Sequence, residues 1–170
     1  MKNQLDKLNN YKIFKGLDKE NIKLFIPLIE IKQFSKNENI IQENESGDSL
    51  LFLLDGEISI TKALTLPTSK DDENDNSEKE LIRLKSENNI AMGELSLFSE
   101  EKKRTATVKA LKTCKIGYLS SKDFFDVCNN NKDIGYIVVS NIANIVTENL
   151  IKSNRDVLKL TTAFSLIMSK

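Results

Sequence analysis

The feature that most constrains this fold is a series of short apolar segments between residues 29 and 120, separated by turn signals. Leu50–Leu54 is an uninterrupted apolar run, and Glu57–Thr61 alternates polar and apolar residues with a period of two. Asp55-Gly56 joins the two segments and is a hairpin signal. Further strands are predicted at 29–34, 40–41, 79–84, 104–110 and 114–119. Strands at such close intervals predict a β-sandwich or barrel rather than alternating strands and helices.

The segments on either side of the strands have helical spacing. Residues 1–28 are predicted to form an N-terminal helical segment in which Asp18 caps a helix. Residues 121–170 are predicted to form C-terminal helices, with Ser121 capping the first of them and one long helix over 133–160. The strands between them, 29–120, form the third unit. A polar stretch over 67–78 is predicted to be an exposed hairpin loop.

The predicted long helix carries two apolar stripes. One is Val138, Ile142, Ile145 and Asn149, which have the 4,3,4 spacing of a heptad seam. The other is Val139, Ala143, Val146 and Leu150, continued by Val157 and Leu160. One stripe can cover the strands while the other pairs with a second copy, so we predict a homodimer through 133–160. The alternative is packing against the chain's own strands only.

Composition favours a binding module over an enzyme. The 170 residues contain no histidine, which removes the usual general base and the usual zinc ligand, so no catalytic residue and no metal site are expected. The 25 basic and 25 acidic residues cancel, whereas DNA-binding proteins usually have a basic excess. No signal peptide and no continuous apolar run of about 18 residues is evident, so we expect a cytoplasmic protein without membrane contact.

The segment with the clearest chemistry is Gly93-Glu94-Leu95, followed by Arg104-Thr105. The glycine permits an unusual backbone conformation, and a short helix over 94–98 would begin after it with free N–H groups. Arg104, at the start of the next predicted strand, would place a guanidinium opposite that helix start. The pair can hold a phosphate from two sides. Spacing alone leaves open a surface hairpin with an ion pair.

The full stretch GELSLFSEEKKRTATVKA, beginning at Gly93, resembles the phosphate-binding cassette of cyclic-nucleotide-binding domains, the family of the bacterial cyclic-AMP receptors. Gly16-Leu17, Gly47-Asp48 and Gly56 add weaker matches, and Asn89 stands where the family has a glycine. The resemblance implies a mainly β fold with flanking helices, namely a jelly-roll β-roll plus a long C-terminal helix. No helix-turn-helix pattern follows that helix, so no DNA binding is expected from this chain.

The resemblance also implies the roles of individual residues. Gly93, Glu94 and Leu95 would hold the phosphate edge and ribose, with Glu94 accepting from the 2′-hydroxyl and orienting Arg104. Arg104 would pair with the phosphate, and Thr105 would donate to phosphate or base. Ile82 and Leu84 would wall the purine, and Asn149 would contact the base or set helix pairing. The expected function is a sensor of cyclic AMP (cAMP), ahead of cyclic GMP (cGMP), acting through an unknown effector protein and needing no cofactor. The alternative is a ligand-free scaffold.

Overall fold

The computed structural model describes residues 6–63 and 78–169. Within them the strands are β1 Glu30–Phe34, β2 Asn39–Ile41, β3 Ser49–Asp55, β4 Glu57–Ala63, β5 Glu78–Lys85, β6 Ala91–Met92, β7 Thr107–Ala110 and β8 Cys114–Ser120. They form a β-roll of two four-stranded antiparallel sheets, one with the order β1-β8-β3-β6 and the other with the order β2-β7-β4-β5. The predicted fold class is confirmed. The predicted loop over 67–78 lies outside the described residues, except Glu78.

Strand β3 explains why the sequence contains an uninterrupted apolar run. Leu50, Phe52 and Leu54 point into one hydrophobic core, which the helices cover. Leu51 and Leu53 point into a second core between the two sheets. Because successive side chains of a strand face opposite ways, a strand buried on both faces must be apolar at every position.

Two details of the strand prediction are wrong. Arg104 precedes β7, which begins at Thr107, and its backbone N–H donates to the carbonyl of Glu45 at 2.8 Å instead of joining the sheet ladder. The short strand β6 was not predicted, because two residues are too few for a period-two pattern. It pairs with β3 through Leu51–Met92 and Phe52–Ala91.

In the part of the chain that the structure describes, four α-helices and several 3₁₀ turns flank the sheets. The helices are α1 Lys19–Ile22, α2 Glu94–Phe98, α3 Ser121–Asn130 and α4 Lys132–Met168, and 3₁₀ turns lie at Asp6–Asn10, Lys12–Phe14, Ile26–Leu28 and Ser86–Asn88. Asp18 caps α1 as predicted, accepting from the Asn21 N–H at 2.7 Å. The cap of α3 is Ser120, not Ser121: its hydroxyl accepts from the Asp123 N–H at 3.0 Å.

Helix α4 is 37 residues long and exceeds the predicted 133–160 at its C-terminal end. Its first part lies on the β-roll, where Ile134, Val138 and Ile142 are buried. Asn141 Nδ2 donates to the backbone carbonyls of Ile13 at 3.1 Å and Lys15 at 2.7 Å, which ties the helix to the N-terminal segment. From residue 147 onward every described side chain of the helix is exposed.

Helix α4 also contains one 18-residue window that is long and apolar enough to cross a membrane, with 22% of that window buried. The sequence expectation missed it because its apolar residues are interspersed with polar ones. A helix packed on the core of a soluble domain passes the same test, so this property alone assigns no membrane span. The absence of membrane contact stays a prediction.

Candidate functional site

A cavity of about 560 Å³ lies between the second sheet, α2 and α4. Its volume is in the range of small-molecule sites. The structure brings all eight residues singled out from the sequence to its lining, namely Gly93, Glu94, Leu95, Arg104, Thr105, Ile82, Leu84 and Asn149. These residues come from β5, α2, the segment before β7, and α4. That each of them contacts a ligand stays a prediction.

The cassette backbone has the conformation that its glycine permits. Gly93 has a φ of 88° and is the N-cap of α2. A positive φ of this kind is readily adopted by glycine and costs other residues free energy. N–H groups at a helix start have no carbonyl partner within the helix, so they can serve an anion, although that of Glu94 donates to the Glu94 carboxylate in this structure. Asn89, in place of the family's glycine, has a φ of 49° and keeps the left-handed turn.

Arg104 is the buried cation of the cavity, with 8% of its surface exposed. Its Nη1 donates to the Ser49 carbonyl at 3.0 Å and to the Ser96 hydroxyl at 2.9 Å, and its Nη2 donates to the Ser49 hydroxyl at 3.1 Å. A guanidinium has five N–H donors. Within residues 6–63 and 78–169, these three bonds leave the Nε–H and one Nη2–H for an anion.

Two glycines make room for this guanidinium. A Cβ atom on Gly47 would overlap the Nε, Cδ and Cζ atoms of Arg104, and one on Gly93 would overlap Nη1. The sequence identified Gly47 only as a turn residue. It missed Ser49 and Ser96 as the hydrogen-bond acceptors of Arg104, and Ser49 is 55 residues away in the chain.

Burial and neighbouring charges both shift the pKa values of Arg104 and Glu94. Burial lowers the pKa of Arg104, and Asp48, Tyr118 and Glu94 act in the opposite direction. Arginine remains protonated in proteins even so. Burial raises the pKa of Glu94, against smaller lowering effects from its own backbone N–H and from Arg104. The hydrogen bonds of Arg104 to described residues go to Ser49 and Ser96 and not to Glu94, so the orienting role of Glu94 stays a prediction.

The rest of the cavity lining contains both apolar strand residues and exposed polar side chains. Ile82 and Leu84 are among the apolar residues, and Ile82 is 40% exposed. Asn149, Glu148 and Lys12 are among the polar ones, and Lys12 Nζ and Glu148 Oε2 form an exposed ion pair at 2.8 Å. The sequence did not predict this pair, whose members are 136 residues apart.

The described residues offer little else for chemistry. Cys114 and Cys128 are both buried, and neither forms a disulfide bond. Burial raises the pKa of both thiols, which keeps them protonated. Within 6–63 and 78–169 no group of three histidine, cysteine, aspartate or glutamate residues lies close enough to hold a metal ion. The site is a cavity that contains one buried guanidinium, Arg104, and apolar strand residues in its lining.

The chain is similar in sequence to known proteins. The sequence model of the cyclic nucleotide-binding domain matches residues 31–131, more than half of the chain. The cAMP-activated global transcriptional regulator CRP of Salmonella typhimurium is 26% identical over 110 residues, which are 65% of this chain and 47% of CRP. The chain thus spans about half the length of the curated relatives it matches.

Solved structures of other proteins have a similar fold. The catabolite activator protein of Thermus thermophilus superposes with a TM-score of 0.73 at 18% identity, covering 88% of this chain and 63% of that one. The cAMP-bound PfPKA-R superposes with a TM-score of 0.59 at 29% identity, covering 73% of this chain and 40% of that one. The family consists of regulatory domains and not of enzymes. The chain belongs to the cyclic nucleotide-binding domain family.

Proposed function

We propose that this chain is a sensor that binds a cyclic nucleotide, with cAMP preferred over cGMP, and acts through a partner protein in the cytoplasm. The observation that carries the proposal is Arg104, a buried guanidinium with two N–H groups left for an anion beside the start of α2. A cyclic phosphate fits this requirement because it is a single anion with two exocyclic oxygens. The purine would extend toward Ile82 and Leu84.

The preference for cAMP is supported by the lining of the cavity and by the relatives. Asn149 carries one donor and one acceptor group, and asparagine can pair in a bidentate way with N6 and N7 of adenine. CRP is named as activated by cAMP, and PfPKA-R was solved with cAMP. Glu94 would accept from the ribose 2′-hydroxyl, and Thr105 would donate to phosphate or base.

A homodimer through α4 is the second part of the proposal, and its seam is the second stripe. Val138 and Ile142, of the first stripe, are buried in the chain's own core, so that stripe cannot serve as a seam. In the second stripe Val139, Leu150 and Val157 are 38%, 58% and 57% exposed. Heptad spacing of exposed apolar residues is the pattern that pairs two helices.

The cavity and the seam share one wall, which suggests how a ligand would act on the partner. A groove of about 490 Å³ runs between α2 and α4 and is lined by Val139, Ala143 and Val146 of the stripe. Glu94 and Leu95 line both this groove and the nucleotide cavity. A ligand that draws the start of α2 toward Arg104 would reshape the groove, and thereby favour one arrangement of the two α4 helices over another.

Calorimetric titration with cAMP and cGMP tests the proposal, using the wild type, Arg104→Ala and Arg83→Ala. Truncating one partner of a buried, hydrogen-bonded charge pair costs about 2–5 kcal/mol, so Arg104→Ala should weaken binding by about 30- to 3,000-fold. Arg83 is the matched control, since it is 63% exposed and paired with Glu80 away from the cavity. Circular dichroism checks that each variant is folded. A folded wild type that binds neither nucleotide would refute the proposal and favour a ligand-free scaffold.

A further inference from the structure

The side chain of Ser96 connects the buried guanidinium of Arg104 to the start of α2. Ser96 lies in the first turn of α2 and is 2% exposed. Its hydroxyl donates to the Gly93 carbonyl at 2.9 Å and accepts from Arg104 Nη1 at 2.9 Å. A serine hydroxyl has one hydrogen and two lone pairs. Because the hydrogen is directed at Gly93, the lone pairs are left for Arg104.

Ser96 and Ser49 together fix the orientation of the guanidinium. Ser49 accepts from Nη1 through its carbonyl and from Nη2 through its hydroxyl, so it lies at the edge between these two nitrogen atoms. Ser96 accepts the other hydrogen of Nη1. With respect to residues 6–63 and 78–169, the hydrogens left are Nε–H and one Nη2–H, which form the parallel pair that binds phosphate in a bidentate way. All three acceptors are neutral oxygens, so none of them cancels the charge that a phosphate would meet.

We propose that Ser96 is a positioning residue for the phosphate, because its hydroxyl holds Arg104 in the orientation that presents Nε–H and Nη2–H to the ligand. Without this hydroxyl, Nη1 keeps one bond, to the Ser49 carbonyl, and the side chain gains rotational freedom. A site that is ordered before its ligand arrives binds more tightly than one that is ordered by the ligand. The inference deepens the proposed cyclic-nucleotide sensor and rests on it.

A purely structural role in α2 explains the position of Ser96 less well. The N-cap of α2 is Gly93, not Ser96. The Gly93 carbonyl also accepts from the Leu97 N–H at 3.3 Å, so it keeps a donor when the Ser96 hydroxyl is removed. Alanine has a higher helix propensity than serine. Ser96→Ala therefore removes chiefly the hydrogen bond to Arg104.

Nuclear magnetic resonance of the arginine side chains tests the orientation of Arg104 without any ligand. The chain has three arginines, Arg83, Arg104 and Arg155, so labelling arginine with ¹⁵N gives a simple spectrum in which Arg104→Lys identifies the Arg104 signals. Hydrogen bonds that hold a guanidinium slow the rotation of its Nη groups and give separate hydrogen resonances. We expect separate Nη1 hydrogens for Arg104 in the wild type and averaged ones in Ser96→Ala. Ser99→Ala, the same change at the exposed position that follows α2, should leave them separate.

Calorimetric titration with cAMP measures the consequence for binding. Loss of a hydrogen bond to a charged group should weaken binding by about 10- to 100-fold in Ser96→Ala, and Ser99→Ala should bind like the wild type. Arg104→Lys supplies a double-mutant cycle, because lysine keeps the charge but has no planar fork to orient. In that background Ser96→Ala should change the affinity by less than about 2-fold. Circular dichroism checks that every variant is folded.

Separate Arg104 Nη1 hydrogens in Ser96→Ala would overturn the positioning role. An equal loss of affinity with arginine and with lysine at position 104 would also overturn it, and would leave Ser96 a structural residue of α2. The failures of the two proposals are distinguishable. A wild type that binds cAMP no more tightly than Ser96→Ala overturns the positioning role alone, whereas a wild type that binds neither cAMP nor cGMP overturns the sensor and any role of Ser96 in binding.

Discussion

Replacement of Gly47 by alanine is expected to displace Arg104 without touching the cavity directly. The added methyl group would overlap three atoms of the Arg104 side chain. Gly47 is not among the glycines with positive φ, which are Gly16, Gly56 and Gly93. The alanine backbone is therefore unstrained, and the substitution tests only the space that Arg104 occupies.

The size of the effect follows from what Arg104 must give up. A shifted guanidinium loses its bonds to Ser49 and Ser96, and a hydrogen bond to a charged group contributes about 1.5–3 kcal/mol. The side chain can turn toward solvent in the cavity, so part of this loss is recovered, and overpacking typically costs about 1–3 kcal/mol in total. We expect the free energy of unfolding to fall by about 1–3 kcal/mol. Affinity for cAMP should fall by about 30- to 3,000-fold, as for Arg104→Ala.

Urea denaturation and calorimetric titration measure the two effects, with Ser46→Ala as the control because Ser46 is the exposed neighbour in the same turn. A double-mutant cycle makes the test specific. If the clash with Arg104 is the whole cause, Gly47→Ala should change unfolding by less than about 0.5 kcal/mol in the Arg104→Ala background. An equal loss of stability in both backgrounds would refute the reasoning.

Three other substitutions probe separate parts of the molecule. Tyr11→Phe removes the donor to the buried Leu53 carbonyl, a 2.6 Å bond, and should lower the free energy of unfolding by about 1–3 kcal/mol in urea denaturation. Burial raises the pKa of Glu94 above its usual value of 4.5. The protonated carboxyl group therefore contributes stability that is present at pH values below 4.5 and is lost as the pH rises through the raised pKa. Glu94→Gln should therefore raise the melting temperature of the ligand-free protein at neutral pH. In the wild type, protonation of Glu94 should weaken cAMP binding as the pH falls through the Glu94 pKa. Glu94→Gln should lack this pH dependence, which calorimetry at several pH values measures. Asn149→Ala should weaken cAMP binding by about 5- to 100-fold if the amide pairs with the base, since a bidentate pair contributes about 1–3 kcal/mol, and unchanged affinity would exclude that role.

Features governed by local geometry could be predicted from the sequence. The apolar run Leu50–Leu54, the cap at Asp18 and the short helix after Gly93 each depend on residues within one or two turns of the chain. The cassette is equally local, but its spacing alone left a surface hairpin open, and the resemblance to the family motif identified it. Its glycine, its helix and its arginine lie within twelve residues, and each of them has a physical requirement that few other residues meet.

Contacts between distant parts of the chain could not be predicted in this way. Ser49 is the first residue of β3, and the register of this strand places it within hydrogen-bonding distance of Arg104. The sequence near either residue does not predict that register. The ion pair of Lys12 with Glu148 likewise depends on where α4 crosses the N-terminal segment. Both contacts depend on how the elements pack together. Sequence periodicity predicts which face of an element is buried, but not which residues of another element that face contacts.

The two stripes of α4 illustrate how packing resolves such a choice. Sequence periodicity did not decide which of the two stripes contacts the partner helix. It also left open whether Asn149 contacts the base or sets helix pairing. Burial of Val138 and Ile142 in the β-roll fixes the rotation of the helix about its axis. Asn149 follows Ile142 by seven residues, so it lies within about 20° of the same face and lines the cavity. Val139 and Leu150, the exposed members of the proposed seam, lie about 80° and about 100° around the helix from Asn149. This rotation favours the base contact of the two predicted roles, and Asn149→Ala should then change nucleotide affinity while leaving the mass of the assembly unaltered.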